Sequence, residues 1–276
     1  MRLPSPGARH SIYDSGLWLG VMEMTMKATL LSDTRFAMRM VILILVTHAV
    51  SYLTHEYAHT TMAWMLGYIA NPFALDYGGL TPANLILLSD VGDNVPYDAV
   101  FASGHGAAAA AIALAGPFIG NALLYVCLYA ACRRRASGRM AAATFWLLLM
   151  CAGNVWSYVP IRALATHADI ALAARGLQIG RLALFPLLMI PSMLLVGHFF
   201  AKACPLFICN IAQGNQARAL LMIAMTTTWF FVFFGGLGMS GSYGTAAQVF
   251  SIVSEIVLLP IALAFLWHRY VAHVDA

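Results

Sequence analysis

Residues 37–66 read AMRMVILILVTHAVSYLTHEYAHTTMAWML, and between Arg39 and Glu56 they contain no Asp, Glu, Lys or Arg. A helix that crosses a bilayer needs about 20 mostly apolar residues, so this stretch predicts a transmembrane helix long enough to tilt or protrude. Ser32, Asp33 and Thr34 supply an N-cap cluster ahead of it and Gly67 a stop behind it. Five further apolar segments follow, over 101–131, 140–158, 182–203, 218–239 and 246–267. The whole chain is 61% hydrophobic and 9% charged, with a mean hydropathy of +0.79. A water-soluble domain carries about a quarter charged residues, so the solvent for this surface is lipid. The expected fold is an all-α polytopic membrane protein of about six spans. Ahead of them, 1–36 is expected to be a cytoplasmic or interfacial segment, with an amphipathic helix near Leu17–Leu31.

The connection between the first two spans differs from the rest. From Asn71 to Asp98 it holds Pro72, Gly78, Gly79, Pro82, Gly92 and Pro96, four aspartates and no Lys or Arg. Leu85-Ile86-Leu87-Leu88, set between turn signals, reads as a short strand, half of a β-hairpin inserted within 67–100. Positive charge gathers before span one, after span two at Arg133–Arg139, around the loop after span four, and after span six. That pattern places both termini in the cytoplasm, and no basic tract suits nucleic acid. The five cysteines lack CxxC spacing and read as buried small hydrophobes.

Chemistry concentrates at His55-Glu56-Tyr57-Ala58-His59. Residues four apart on a helix project side by side, so His55 and His59 can share one tetrahedral Zn²⁺. Glu56, on the neighbouring flank, can take a proton from a zinc-bound water whose pKa the metal has lowered. Chance would produce an HExxH in this composition about 0.003 times per sequence. A catalytic zinc takes three protein ligands and keeps a fourth position open. Asp169, just beyond span three, is the favoured third ligand because the antiparallel path returns it to the end of span one. His167 is the competitor. His48 lies about 10 Å down the helix axis, too far to share the ion, and His105 is a minor candidate.

These motifs resemble the site-2 protease group of intramembrane zinc metalloproteases, the peptidase M50-like family. The HExxH on an early apolar helix is the first point of likeness. Ala115-Gly116-Pro117-Phe118-Ile119-Gly120-Asn121 is similar to the GPxxxN element on the next helix, and Asn154, Pro160 and Asp169 to the Asn…Pro…Asp succession on the third. The likeness covers residues 37–180, a three-helix catalytic core, and leaves 181–276 as three further helices. It implies His55, His59 and Asp169 as zinc ligands, Glu56 as general base, Asn121 near the substrate or oxyanion, and Asn154 as a possible site residue. It also implies that 71–98 forms a small sheet that pairs with an extended substrate. The family's third element commonly ends Leu-Asp-Gly soon after the proline. Here eight residues separate Pro160 from Asp169, and Ile170-Ala171 follow, which marks a divergent member.

The expected function is therefore a zinc metalloendopeptidase that hydrolyses a peptide bond of a membrane-anchored protein, in a bacterial cytoplasmic (inner) membrane. A di-iron hydroxylase would need about eight histidines in several boxes, and one pair is present. A transporter or scaffold that retains a zinc site is the alternative, and it has no use for the Glu56 carboxylate beside the histidines.

Overall fold

The computed structural model describes residues 10–135 and 140–274, with side chains over 30–134 and 140–272. The described chain is helical and holds six helices long and apolar enough to cross a membrane. We number the elements α1 (His10–Met65), α2 (Pro82–Leu87), α3 (Tyr97–Ala102), α4 (Gly106–Cys132), α5 (Ala141–Ile161), α6 (Asp169–Leu177), α7 (Arg181–Ala212), α8 (Gln216–Ser240) and α9 (Thr245–Ala272). The membrane-length part of α1 is Leu30–Met65. The chain divides into two compact units, Met1–Ile42 and Leu43–Ala276. The second holds the expected core from Leu43 onward and the three helices after it.

Two local expectations are corrected. Ser32, Asp33 and Thr34 do not start a helix, because α1 runs through them. Nothing there breaks a helix, and Thr34 Oγ1 satisfies itself by donating back to the Leu30 carbonyl at 2.9 Å. Residues 1–9, and the side chains of the expected interfacial stretch before residue 30, lie outside the description, as does the end of the basic run from 136. The expected β-hairpin is also absent among the described residues: Leu85–Leu87 end the short helix α2, and one antiparallel bridge, Asp76 to Gly92, is all the pairing in the connection. Thr81 caps α2 by accepting the Asn84 N–H at 3.1 Å, Pro82 opens it and Leu88 closes it in the left-handed region. A Thr-Pro pair ahead of apolar residues is a helix start. The Asn84 carboxamide then ties the loop together, donating to the Tyr77 and Gly79 carbonyls and accepting from the Asp90 N–H.

Within the second unit α5 is the central helix. Of its most apolar window 83% is buried, against 17% for α9 and 22% for α7, both of which leave large apolar side chains exposed. Phe145 of α5 stacks on Phe199 of α7, which stacks on Phe230 of α8. Helix direction follows from the contacts: α4 rises from Ile112 to Asn121 as its partners on α1 fall from His59 to Ser51. Arg133 and Arg134 follow the far end of α4, and Lys202 of α7 and Arg269 of α9 line one surface pocket.

Glycines set the closest approaches. A Cβ on Gly106 would collide with the Gly176 carbonyl, and one on Gly176 with the Gly106 carbonyl, so α6 crosses α4 backbone to backbone. This crossing seats Asp169, the first residue of α6, over α4. A core of Ala110, Ala113, Val159, Ile170, Ala173 and Leu184 completes the seat. Gly176→Ala is expected to destabilise the protein by about 1–3 kcal/mol through overpacking, read as a lowered melting temperature in detergent. An unchanged melt would mean that α6 is not held by this crossing.

Candidate metal centre

Helix α1 presents two adjacent rows of side chains at i, i+4 spacing. Ser51, His55 and His59, one row, are buried against α4 and α5. His48, Tyr52 and Thr60, from the next row, hold the connection between α1 and α3. His48 Nε2 donates to the Leu87 carbonyl at 3.0 Å, Tyr52 Oη to Val91 at 3.1 Å and Thr60 Oγ1 to Pro72 at 2.6 Å. Glu56 belongs to this second row. It is buried, makes no hydrogen bond or ion pair among the described residues, and lies within electrostatic reach of His59, Asp169, Asp93 and Arg162.

His55 and His59 have their tautomers set by their neighbours. His59 Nδ1 faces the Ile112 carbonyl at 2.7 Å, and a carbonyl only accepts, so Nδ1 carries the proton. His55 Nδ1 faces the Asn121 Oδ1 at 2.8 Å. That carboxamide is oriented in turn by its NH₂, which donates to the Ser51 Oγ at 3.0 Å and the Ser51 carbonyl at 3.3 Å. In its neutral form each imidazole therefore turns a bare Nε2 lone pair inward. The two Nε2 atoms lie 3.1 Å apart, and Asp169 Oδ2 lies 3.4 Å from one and 3.3 Å from the other. Asp169 Oδ2 is itself buried with no hydrogen-bond partner.

Three buried lone-pair atoms facing one point repel one another unless a cation sits among them. For a tetrahedral ion with ligands at about 2.0–2.1 Å, the ligand–ligand edge is about 3.3–3.4 Å. The two edges to Asp169, 3.4 and 3.3 Å, match it and the edge between the imidazoles, 3.1 Å, is slightly shorter; the donor set, two imidazoles and a carboxylate, suits zinc. His167, the rival third ligand, is exposed and stacks on Tyr243 at 4.7 Å, outside the cluster. Asn154 donates to the Ser51 Oγ at 3.1 Å, one step behind His55. Asn121 lies on the Nδ1 side of His55, the side away from the converging atoms, where it orients the ring.

Sequence alone missed Ser51, Tyr158 and Arg162. Ser51 was discoverable, since it is one turn before His55 on the same row. Tyr158 stacks on the His55 ring at 4.7 Å and 21°, and nothing in its sequence context signals that. Gly116, expected as a motif glycine, has a specific reason here: a Cβ would overlap Nε2 of both imidazoles. Gly120 has a second, since its Cβ would come within 2.8 Å of His55 Cα and the Thr54 carbonyl.

Gly116→Ala is accordingly expected to abolish metal binding in a folded protein, measured by elemental analysis of the purified membrane protein. Asn121→Ala, which frees the His55 ring, is expected to weaken zinc about 10–100-fold. Full occupancy in Gly116→Ala would move the ion away from this point. Among protein-family models, characterised proteins and solved structures, none matches this chain.

Proposed function

We propose that the chain is a membrane-embedded zinc endopeptidase, divergent within the site-2 protease-like group, that cleaves a membrane-anchored protein. The observation that carries this reading is the convergence of His55 Nε2, His59 Nε2 and Asp169 Oδ2 within 3.1–3.4 Å of one another, beside a buried Glu56 carboxyl that has no hydrogen bond or ion pair among the described residues. A carboxyl placed in an apolar helix is costly and marks function by default. A site that only stores or passes a metal gains nothing from one that no other side chain engages.

A zinc ion bound there would polarise the scissile carbonyl and acidify a water. The chain's own residues do the rest. His55, His59 and Asp169 would hold the ion, with Asn121 and the Ile112 carbonyl fixing the ring nitrogens. Glu56 accepts a proton from the attacking water as its oxygen bonds to the carbonyl carbon, then returns it to the amine nitrogen as the C–N bond breaks. Depth supports a membrane-anchored substrate. His59 and His55 precede the end of α1 at Met65 by about 9 and 15 Å at 1.5 Å per residue, inside a hydrocarbon layer about 30 Å thick. A bacterial cytoplasmic membrane is the proposed location. Delivery of the substrate by strand addition has no sheet to build on, so an extended segment would meet the connection through α2 and the 76–92 loop pair instead.

Glu56→Gln is expected to retain zinc and folding yet lose about 10²–10⁴-fold in cleavage of a co-expressed single-span substrate. Unchanged processing would remove the base role and leave a metal-binding transporter or scaffold. Asp169→Ala is expected to lose bound zinc, and full occupancy would assign the third position elsewhere.

A further inference from the structure

Behind His55 lies a stack that the proposed chemistry does not use. One face of the Tyr158 ring carries the His55 imidazole, with centroids 4.7 Å apart and planes at 21°. The Arg162 guanidinium carbon sits 3.8 Å over the same ring's centroid. Two groups centred this closely must occupy opposite faces, so Tyr158 is sandwiched. Arg162 is held in place from several directions. Its Nε donates to the Ser157 carbonyl at 3.0 Å, one Nη to the Ser157 Oγ at 2.9 Å and the other to Tyr243 Oη at 3.4 Å. The Tyr243 ring stacks in turn on His167. Arg162 has no ion-pair partner among the described residues, so a carboxylate does not fix its position. Its anchors are the end of α5 and the turn between α8 and α9.

We propose that Arg162 is a positioning residue of the metal centre: clamped between α5 and Tyr243, it presses Tyr158 flat against His55 and so fixes the direction of the Nε2 lone pair. The proposal rests on the reading of His55, His59 and Asp169 as metal ligands. The physics favours a planar cation here. A guanidinium is attracted to the electron-rich face of Tyr158 and stacks flat on it while its fork keeps three hydrogen bonds. A lysine supplies the charge without the plane or the fork. The ring's opposite face meets an imidazole that gives electron density to a metal, so it too attracts the tyrosine. Asn121 fixes His55 at one nitrogen only and leaves the ring free to rock about that bond, and the stacked tyrosine removes this freedom.

Positioning and simple charge predict opposite signs. A cation near a metal ion repels it, so removing only the charge would tighten metal binding, and Arg162→Lys would resemble wild type. Loss of positioning weakens binding in both Arg162→Ala and Arg162→Lys. The experiment is Co²⁺ titration of the purified full-length protein in lipid nanodiscs, following the visible d–d bands, with thermal melting alongside. The expected result is a weakening of Co²⁺ affinity by about 10–100-fold in both variants, with altered band positions. Tyr158→Leu, which removes the middle of the stack and leaves Arg162 in place, is expected to do the same and serves if the Arg162 variants do not fold. Wild-type affinity and bands in Arg162→Lys or Tyr158→Leu would overturn the positioning role. Absence of Co²⁺ uptake by the wild type would instead overturn the metal site itself.

Discussion

Two hydrogen-bond acceptors decide what the centre of this molecule can do. The Ile112 carbonyl and the Asn121 Oδ1 each take the Nδ1 proton of one histidine, and the inward nitrogens are left bare. Without them the imidazoles could place protons between themselves and Asp169 and satisfy one another as an ordinary buried cluster. With them, a buried carboxylate oxygen and two lone pairs meet at a point where only a proton or a metal ion relieves the repulsion. Most of the surrounding architecture serves to make those two acceptors available. The Ile112 carbonyl can serve His59 because α4 gives up regular geometry nearby, widening to π geometry over Ala115–Leu123 around Pro117. Asn121 can serve His55 because Gly116 and Gly120 let α4 lie directly on α1.

The same close approach explains how a short helix carries a ligand. Asp169 lies outside the spans, and a loop carboxylate would normally prefer water. It is kept in the cluster by the backbone contact of Gly106 with Gly176 and by the small-residue face of α6, Ala173 and Ala174, on Ala110. Alanine and glycine are the right residues for this in lipid, where tight van der Waals packing has to replace the hydrophobic effect between helices.

How much of this was legible in the sequence varied with the kind of signal. The six spans were, because lipid solvation leaves a composition signal twenty residues long. The His55, His59 and Asp169 set was, because helical periodicity places the first two and the order of spans returns the third. The connection was misread for a local reason. Leu85–Leu88 has strand-like composition, yet Thr81-Pro82 ahead of it is a helix-starting pair, and over six residues capping outweighs β-propensity. The start of α1 was misread because Ser, Asp and Thr favour caps without forbidding helix interiors. Tyr158 and Arg162 were beyond reach for a different reason: a stack joining α5 to the turn before α9 depends on three-dimensional neighbours separated by tens of residues.

Charge balance gives the site its last constraint. Burying isolated charge in a bilayer is expensive, and Glu56 has His59, Asp169, Asp93 and Arg162 within its electrostatic reach. Asp93 then has a role that its loop position hides. It accepts from the Val95 N–H at 3.1 Å and from Tyr97 Oη at 3.0 Å, so its charge is fixed by the connection rather than by a span. Burial foremost, then the Asp93 and Asp169 charges, push the Tyr97 hydroxyl well above its ordinary range and keep it a proton donor to Asp93. The connection thus contributes an anchored carboxylate near the centre as well as a cover over it.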